Sequence, residues 1–76
     1  MQTRKIGVYV RLNEQNEIIE VNSALFLEDI SGWIKVDEGV GDRYAHAQGN
    51  YFEKPLTTDN GTYNYRYQNG VIVSNN

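Results

Sequence analysis

The Asn69-Gly70 pair restricts the fold of this 76-residue chain more than any other feature. It stands between residues 62–68, in which Tyr alternates with polar residues, and residues 71–74, an apolar run that ends in Ser74. Asn-Gly between alternating segments is typical of a two-residue type I′ turn, because both central residues adopt positive φ. Such a hairpin has four predicted pairs: Gln68 with Val71, Tyr67 with Ile72, Arg66 with Val73 and Tyr65 with Ser74. We expect the face that carries Tyr63, Tyr65, Tyr67 and Ile72 to be the more buried one.

A second hairpin is predicted near the start of the chain. Residues 6–12 alternate, with Ile6, Val8, Val10 and Leu12 on one face, and residues 18–21 resume a strand. A connecting loop of two or four residues places Ile19 and Val21 on that apolar face, whereas a three-residue loop without a bulge would bury Glu20. We therefore predict an even loop, and the two-residue version sets Arg11 opposite Glu20.

The middle of the chain combines a short helix with a third strand. Asn22-Ser23 is typical of a helix cap, and Phe26, Leu27 and Ile30 are expected to pack on one end of the sheet. Gly32 is then a candidate left-handed helix end. Residues 33–37 predict a strand in which Trp33 anchors the core. This role is favoured for Trp33 over an aromatic platform for a sugar or peptide, formed with Tyr44, Tyr51 and Phe52, whereas for Tyr44 and Tyr51 both interpretations stay open. Residues 43–52 alternate Tyr44, His46 and Gln48 with alanines, which is compatible with an extended segment.

The predicted fold is therefore one mainly β domain, residues 1–76, with two antiparallel β-hairpins, a middle strand and one short helix. A chain of this length buries a thin core, and it has no Cys to cross-link it. We therefore expect it to form a homo-oligomer or to dock on another protein.

Charge and hydropathy exclude several classes of function. The net charge is −3 and the seven basic residues are scattered, so no basic face for a nucleic acid is predicted. No apolar run is long enough to cross a membrane. Arg4 and Lys5 are not followed by an apolar core, so no signal peptide is predicted and synthesis in the cytoplasm is expected.

No catalytic, cofactor or metal site is predicted. His46 has no nucleophile nearby in the sequence, so we interpret it as a hydrogen-bonded structural residue. Asp37, Glu38 and Asp42 form an acidic cluster that lacks the EF-hand spacing, and a solvated loop that pairs with Arg43 is favoured over a Ca²⁺ site. One His and no Cys exclude the usual zinc ligand sets within a single chain, although a trimer could bring three copies of His46 together on its axis.

Residues 32–52 hold the only Trp, the only His and four of the seven Gly. Closely spaced Gly39 and Gly41 indicate special dihedral angles or a close backbone approach. We predict a tightly folded structural loop that holds the two hairpins together, formed by Gly32, Trp33, Gly39, Gly41, Asp42, His46 and Gly49. The candidate partner contacts are Tyr9, Arg43, Tyr44 and Tyr51, because Tyr and Arg suit contact surfaces.

The same stretch resembles a known family. GWIKVDEG at 32–39 and GDRYAHAQGNYF at 41–52 are similar to segments of small tail-region proteins of phages and prophages of Firmicutes. These include the XkdW type of defective prophages and C-terminal modules of some tail or fibre proteins. YVRLNE at 9–14, IIEV at 18–21, PL at 55–56 and GTYNY at 61–65 extend the similarity to both hairpins.

The resemblance implies a non-enzymatic structural or interaction module of a phage tail, near the fibre or baseplate, with a role in host recognition as one expectation. It would be made in the bacterial cytoplasm and reside in the virion tail after assembly. Its implied partners are other tail proteins, further copies of itself or a cell-surface glycan. Two alternatives stay open at this point: a tail-fibre assembly chaperone and a carbohydrate-binding module.

Overall fold

The computed structural model describes residues 4–75. They form five strands in two antiparallel sheets, which confirms the mainly β class. The first sheet has the order β2-β1-β3, and the second pairs β4 with β5. The strands are β1 (Ile6–Leu12), β2 (Ile18–Ser23), β3 (Ile34–Gly39), β4 (Tyr65–Gln68) and β5 (Val71–Ser74). Two short helices, α1 (Asp42–Ala45) and α2 (Ala47–Asn50), lie between the sheets in the sequence, and a 3₁₀ turn covers Ala24–Phe26.

The β1–β2 connection differs from the predicted even loop. Leu12 pairs with Ile18, so five residues, 13–17, lie between them, and a bulge between Arg11 and Leu12 shifts the register. The five-residue loop and the one extra residue of the bulge together make an even number. Beyond the bulge, the residues of β2 therefore alternate as burial requires, with Glu20 on the outer face. Arg11 therefore still faces Glu20, and their side chains form a 2.7 Å ion pair.

Local side-chain chemistry explains the longer loop. The Oδ1 atom of Asn13 accepts hydrogen bonds from the backbone N–H groups of Gln15 and Glu17, both at 2.9 Å. Asn16 adopts a φ of 63°, a conformation that Asn tolerates better than most residues. These bonds stabilise a wider turn than parity alone predicts.

The third strand pairs with β1 and not with β2. β3 runs antiparallel to β1, with Ile6 opposite Gly39 and Val10 opposite Ile34. Since β1 also runs antiparallel to β2, β2 and β3 are parallel to each other on either side of it. β1 begins, and β2 and β3 end, at the same end of the sheet, which we call the basal end. The face that carries Ile6, Val8 and Val10 is called the inner face.

Trp33 does not anchor the core. Ile34 lies opposite Val10 on the inner face, so Trp33, one residue earlier, falls on the outer face. There it is half-buried, and the Arg11 guanidinium lies 5.7 Å from its ring centroid. Among the described residues, the fully buried apolar side chains are instead Val8, Val10, Ile18 and Ala47.

The predicted helix is shorter than expected. Ser23 is its cap, and its Oγ atom accepts from the Leu25 N–H at 3.2 Å. Only one 3₁₀ turn follows, because Leu27 is already extended. Phe26 and Ile30 are each 52% exposed, so the prediction that they pack on the sheet is wrong. A single turn buries too little to support a longer helix.

Gly32 has the predicted positive φ, 82°, but it does not end a helix. The Trp33 N–H donates to the carbonyl oxygen of Ile30 at 3.0 Å, so Gly32 occupies the third position of a four-residue turn. Gly is favoured at this position because its φ is positive. The turn reverses the chain just before β3 begins.

The second hairpin follows the prediction closely. All four predicted pairs are present, and Asn69 and Gly70 have φ of 54° and 83°. Tyr63, Tyr65, Tyr67 and Ile72 are half-buried. On the opposite face Gln68 and Val71 are exposed, but Arg66 and Val73 are half-buried and Asn64 is only 6% exposed. The expected difference in burial is therefore found only next to the turn.

Polar contacts join the hairpin to the first sheet. The Tyr67 N–H donates to the Asn16 carbonyl oxygen at 2.8 Å, and Glu17 forms an isolated bridge with Arg66. Asn75 donates from its backbone to Asn64 at 2.9 Å and accepts from Arg66 Nη1 at 2.7 Å. The expected frayed end is therefore wrong for Asn75, while Asn76 lies outside the described residues.

Candidate functional site

Residues 42–50 are helical, so the extended interpretation of residues 43–52 is wrong. The N–H groups of Tyr44 and Ala45 donate to the Gly41 carbonyl oxygen at 3.1 and 3.0 Å. The chain then breaks at His46, with φ −126° and ψ 50°, and α2 begins at Ala47. Ala47 is fully buried, and α2 packs on β2. Burial of this small residue favours two helical turns over a strand.

Gly39 and Gly41 are constrained in different ways. A Cβ atom on Gly39 would lie 2.5 Å from two carbons of the Tyr44 ring, which no packed side chain tolerates. Gly41 has open space around it but adopts φ 110° and ψ 179°, a region that only Gly occupies readily. The sequence indicated special dihedral angles or a close backbone approach. The close approach is found at Gly39, and the special dihedral angle is found at Gly41.

Tyr51 connects the helical segment to β3. Its hydroxyl donates to Oδ2 of Asp37 at 2.7 Å. The pKa of Tyr51 is raised from 10.0 to about 12 in total. Burial is the largest cause, followed by the hydrogen bond to Asp37 and the negative charge of Asp37. The phenol is therefore held in its protonated, donating form throughout the physiological pH range.

Arg43 stacks on aromatic rings. Its guanidinium carbon lies 4.5 Å from the Tyr51 ring centroid and 5.7 Å from that of Tyr44. Its Nε atom donates to the Tyr51 carbonyl oxygen at 3.4 Å. The expected pairing with the acidic cluster is not formed, because Glu38 pairs with Lys35 at 3.5 Å and Asp42 lies 3.7 Å from His46 Nε2. The stacked guanidinium remains exposed.

A continuous row of aromatic side chains links the helical segment to β4. The ring centroids of Tyr44 and Tyr51 are 6.1 Å apart, and those of Tyr51 and Phe52 are 5.1 Å apart. Phe52 then contacts Tyr65 at 4.4 Å, with the ring planes tilted by 32°. The first two distances lie within the range of favourable aromatic contacts, about 4.5–7 Å, and the third lies at its lower limit.

A cavity of about 320 Å³ opens beside this row. We call it the aromatic cleft, and its lining residues are Arg43, Tyr51, Phe52, Glu53, Tyr65 and Ile72. Three aromatic rings and one aliphatic side chain form an apolar wall, and one cation and one anion supply polar groups. Its volume falls at the lower end of the range for small-molecule sites, about 300–1,000 Å³.

The structure brings together three of the four predicted contact residues. Arg43 and Tyr51 line the cleft, and Tyr44 contacts both of them. Tyr9 lies elsewhere, on the outer face of the first sheet, opposite Asn22 and Lys35. It is therefore not part of the same surface.

Three lining residues were not identified from the sequence: Glu53, Tyr65 and Ile72. Phe52 was indicated only as a member of a possible aromatic platform with Trp33, Tyr44 and Tyr51. The predicted pairing of the second hairpin did place Tyr65 and Ile72 on one face. Nothing in the sequence, however, indicated that this face meets residues 51–53. The sequence thus indicated the side of the cleft that the second hairpin forms. The contact between that side and residues 51–53 arises only in the tertiary structure.

The predicted structural loop divides into two groups. Gly39, Gly41, Asp42, His46 and Gly49 belong to the end of β3 and the helical segment, whereas Gly32 and Trp33 lie at the opposite end of β3. The His46 ring lies 5.7 Å from that of Phe26 and is partly exposed. A Cβ atom on Gly49 would meet no heavy atom within 4 Å, and the φ of Gly49 is not positive, so nothing local requires Gly there.

Two further features bear on the range of functions. Within residues 4–75, no group of three or more His, Cys, Asp or Glu side chains is arranged to hold a metal ion. The helices of that part of the chain are all too short and too polar to cross a membrane.

No protein-family model matches the chain, and no curated protein or solved structure is significantly similar to it.

Proposed function

We propose that the chain is a non-enzymatic structural or interaction module of a phage tail or tail-like particle, near the fibre or baseplate. The resemblance of residues 32–52 and of both hairpins to small tail-region proteins supports the context. The observation that carries the interaction role is an exposed apolar surface at the basal end of the first sheet.

Three large apolar side chains form this surface, which we call the basal patch: Leu25 is 63% exposed, Phe26 is 52% exposed and Val40 is 55% exposed. All three lie at the basal end, on either side of β1, because the 3₁₀ turn follows β2 and Val40 follows β3. A cavity of about 290 Å³ beside Leu25 is lined further by Ile6 and Gly7. Exposed large apolar side chains grouped at one end of a small protein favour an interaction site there.

The charge around the basal patch indicates the chemistry of its partner. Arg4 and Lys5 line the same cavity and are exposed. A partner that buries the patch would therefore present an apolar segment flanked by carboxylates, since opposite charges at the rim favour association. In the proposed context this partner is another protein of the tail, and assembly carries the chain from the bacterial cytoplasm into the virion.

The test is the composition of purified particles. Particles from the host strain are banded on a density gradient, and the chain is quantified by mass spectrometry against a known tail protein. A fixed ratio to that tail protein is expected. If the chain is abundant in the lysate but missing from the particles, the structural role is wrong and the assembly-chaperone alternative replaces it.

A further inference from the structure

We propose that the aromatic cleft binds one neutral sugar ring of a glycan. This inference rests on the proposed function, because it gives a tail module a ligand on the host surface. The shape of the apolar wall, the two polar groups and the balance of charge each favour such a ligand.

The apolar wall suits the C–H face of a pyranose ring. The Phe52 and Tyr65 rings stack with their centroids 4.4 Å apart and their planes tilted by 32°, and Tyr51 stands perpendicular to Phe52. All three rings are half-buried, so part of each is available to the cleft. A pyranose presents C–H groups on its faces and hydroxyl groups at its rim, and its faces pack favourably on aromatic rings through buried apolar area.

The polar groups suit the hydroxyl rim. Arg43 is held in place by stacking on Tyr51 and by the bond from its Nε atom, while its terminal N–H groups have no partner among residues 4–75. Glu53 also lines the cleft, is exposed, and has no partner in the described part of the chain. A sugar hydroxyl donates to a carboxylate and accepts from a guanidinium, so one ring with several hydroxyls engages both.

The balance of charge selects a neutral ligand. Arg43 and Glu53 are not paired with each other, since their charged atoms do not approach within 4.0 Å. An anionic ligand would meet the Glu53 carboxylate, and a cationic ligand would meet the Arg43 guanidinium. The volume of the cleft, about 320 Å³, is large enough for one sugar ring.

The experiment is a titration of the ¹⁵N-labelled protein with single pyranosides, followed by amide chemical shifts. The probes are methyl α-glucopyranoside, methyl β-galactopyranoside and N-acetylglucosamine, with a neutral tripeptide as a competing class. We expect at least one pyranoside to give saturable shifts at residues 43, 51–53, 65 and 72. Shifts that occur only with the peptide, or no saturable shift with any pyranoside, would overturn the proposal.

Matched variants test the assigned roles. Glu53→Gln and Arg43→Lys are each expected to weaken pyranoside binding about tenfold, because each loses a charge-assisted or forked hydrogen bond. Their controls are Glu14→Gln and Arg11→Lys, which are exposed residues outside both the cleft and the basal patch and should bind as the wild type does. Wild-type affinity in both cleft variants, with unchanged urea midpoints, would overturn the assignment.

The two proposals fail in different ways. Absence of sugar binding leaves the ratio of the chain to other tail proteins unaffected, so it overturns only the ligand. Absence from purified particles, with pyranoside binding intact and lost in Glu53→Gln, overturns only the tail assignment.

Discussion

At the scale of single residues, Gly39 and Gly41 show how the same residue type meets two different demands. Gly39 allows the Tyr44 ring to lie directly on the end of β3. Gly41 allows a backbone conformation from which α1 begins. Together they set the direction in which the helical segment leaves the first sheet.

We predict that Gly39→Val and Gly41→Val each destabilise the fold by about 1–3 kcal/mol, through overpacking in the first case and backbone strain in the second. Urea unfolding measures both. In a Tyr44→Ala background, which lacks the ring, Gly39→Ala should destabilise the fold less than it does in the wild type. The loss of stability caused by Gly41→Ala should be the same in both backgrounds. Gly49→Ala is the control and should be neutral or slightly stabilising, since α2 places no atom near the new methyl group. Silent Val variants at both positions would contradict these roles.

Tyr51 makes stability depend on pH at the alkaline end. Its pKa is about 12 in the folded state against 10.0 ordinarily, so the folded chain retains this proton more tightly than the unfolded chain. The resulting stabilisation is fully present below pH 10 and is lost as the pH rises from 10 to 12. We predict that the urea midpoint falls over this window, and that Tyr51→Phe removes part of the fall. Identical slopes in the two proteins would show that Tyr51 does not contribute.

At the scale of elements, Asn64 holds the connector at 53–63 to the second hairpin. Its Nδ2 atom donates to the Pro55 carbonyl oxygen at 2.7 Å, and its N–H donates to that of Leu56 at 2.9 Å. Its own carbonyl oxygen accepts from Asn75 at 2.9 Å. The side chain and the backbone of the buried Asn64 thus hold the connector by hydrogen bonds in place of apolar packing. This suits a chain with a small hydrophobic core.

We predict that Asn64→Asp destabilises the protein by about 1–3 kcal/mol, because a carboxylate cannot donate to Pro55 and is buried beside its oxygen. Asn60→Asp is the matched control: Asn60 is exposed, and only its backbone N–H is hydrogen-bonded, to Thr58. Urea unfolding of the two variants should therefore differ clearly. Equal midpoints would mean that the Asn64 side chain does not support the hairpin.

At the scale of the whole molecule, two small sheets are linked by polar bonds from residues 16, 17 and 75. The described residues extend over 44 × 24 × 22 Å with a radius of gyration of 12.5 Å. Such a shape exposes a large surface for its mass, and the basal patch and the aromatic cleft are separate parts of it. A module of this kind has room for one protein partner and one small ligand.

The basal patch gives a matched pair of valines. Val40 is 55% exposed within the patch, and Val71 is 56% exposed on β5. We predict that Val40→Ser weakens association with tail particles roughly fivefold, since buried apolar area is lost at the interface, whereas Val71→Ser has no effect. Co-sedimentation of the tagged protein with particles that lack the native chain measures both. Equal retention of the two variants would exclude the basal patch as the docking surface.

The second hairpin was predictable from the sequence because its register depends on dihedral angles that Asn69 and Gly70 adopt locally. The outward position of Glu20, opposite Arg11, was also predictable, since burial of a carboxylate is costly whichever loop connects the strands. Ser23 was identifiable as a cap because its side chain bonds to a backbone group two residues away.

The tertiary structure alone decided the rest. Single turns such as α1 and α2 are too short to show helical periodicity, and their place in the fold depends on tertiary contacts: α2 packs on β2, and its Ala47 is fully buried. The register of β3 on β1 places Trp33 on the outer face of the first sheet, although its side chain is largely apolar. The aromatic cleft depends on Phe52 meeting Tyr65 across the connector, and no local pattern encodes a contact between side chains brought together by separate packing events.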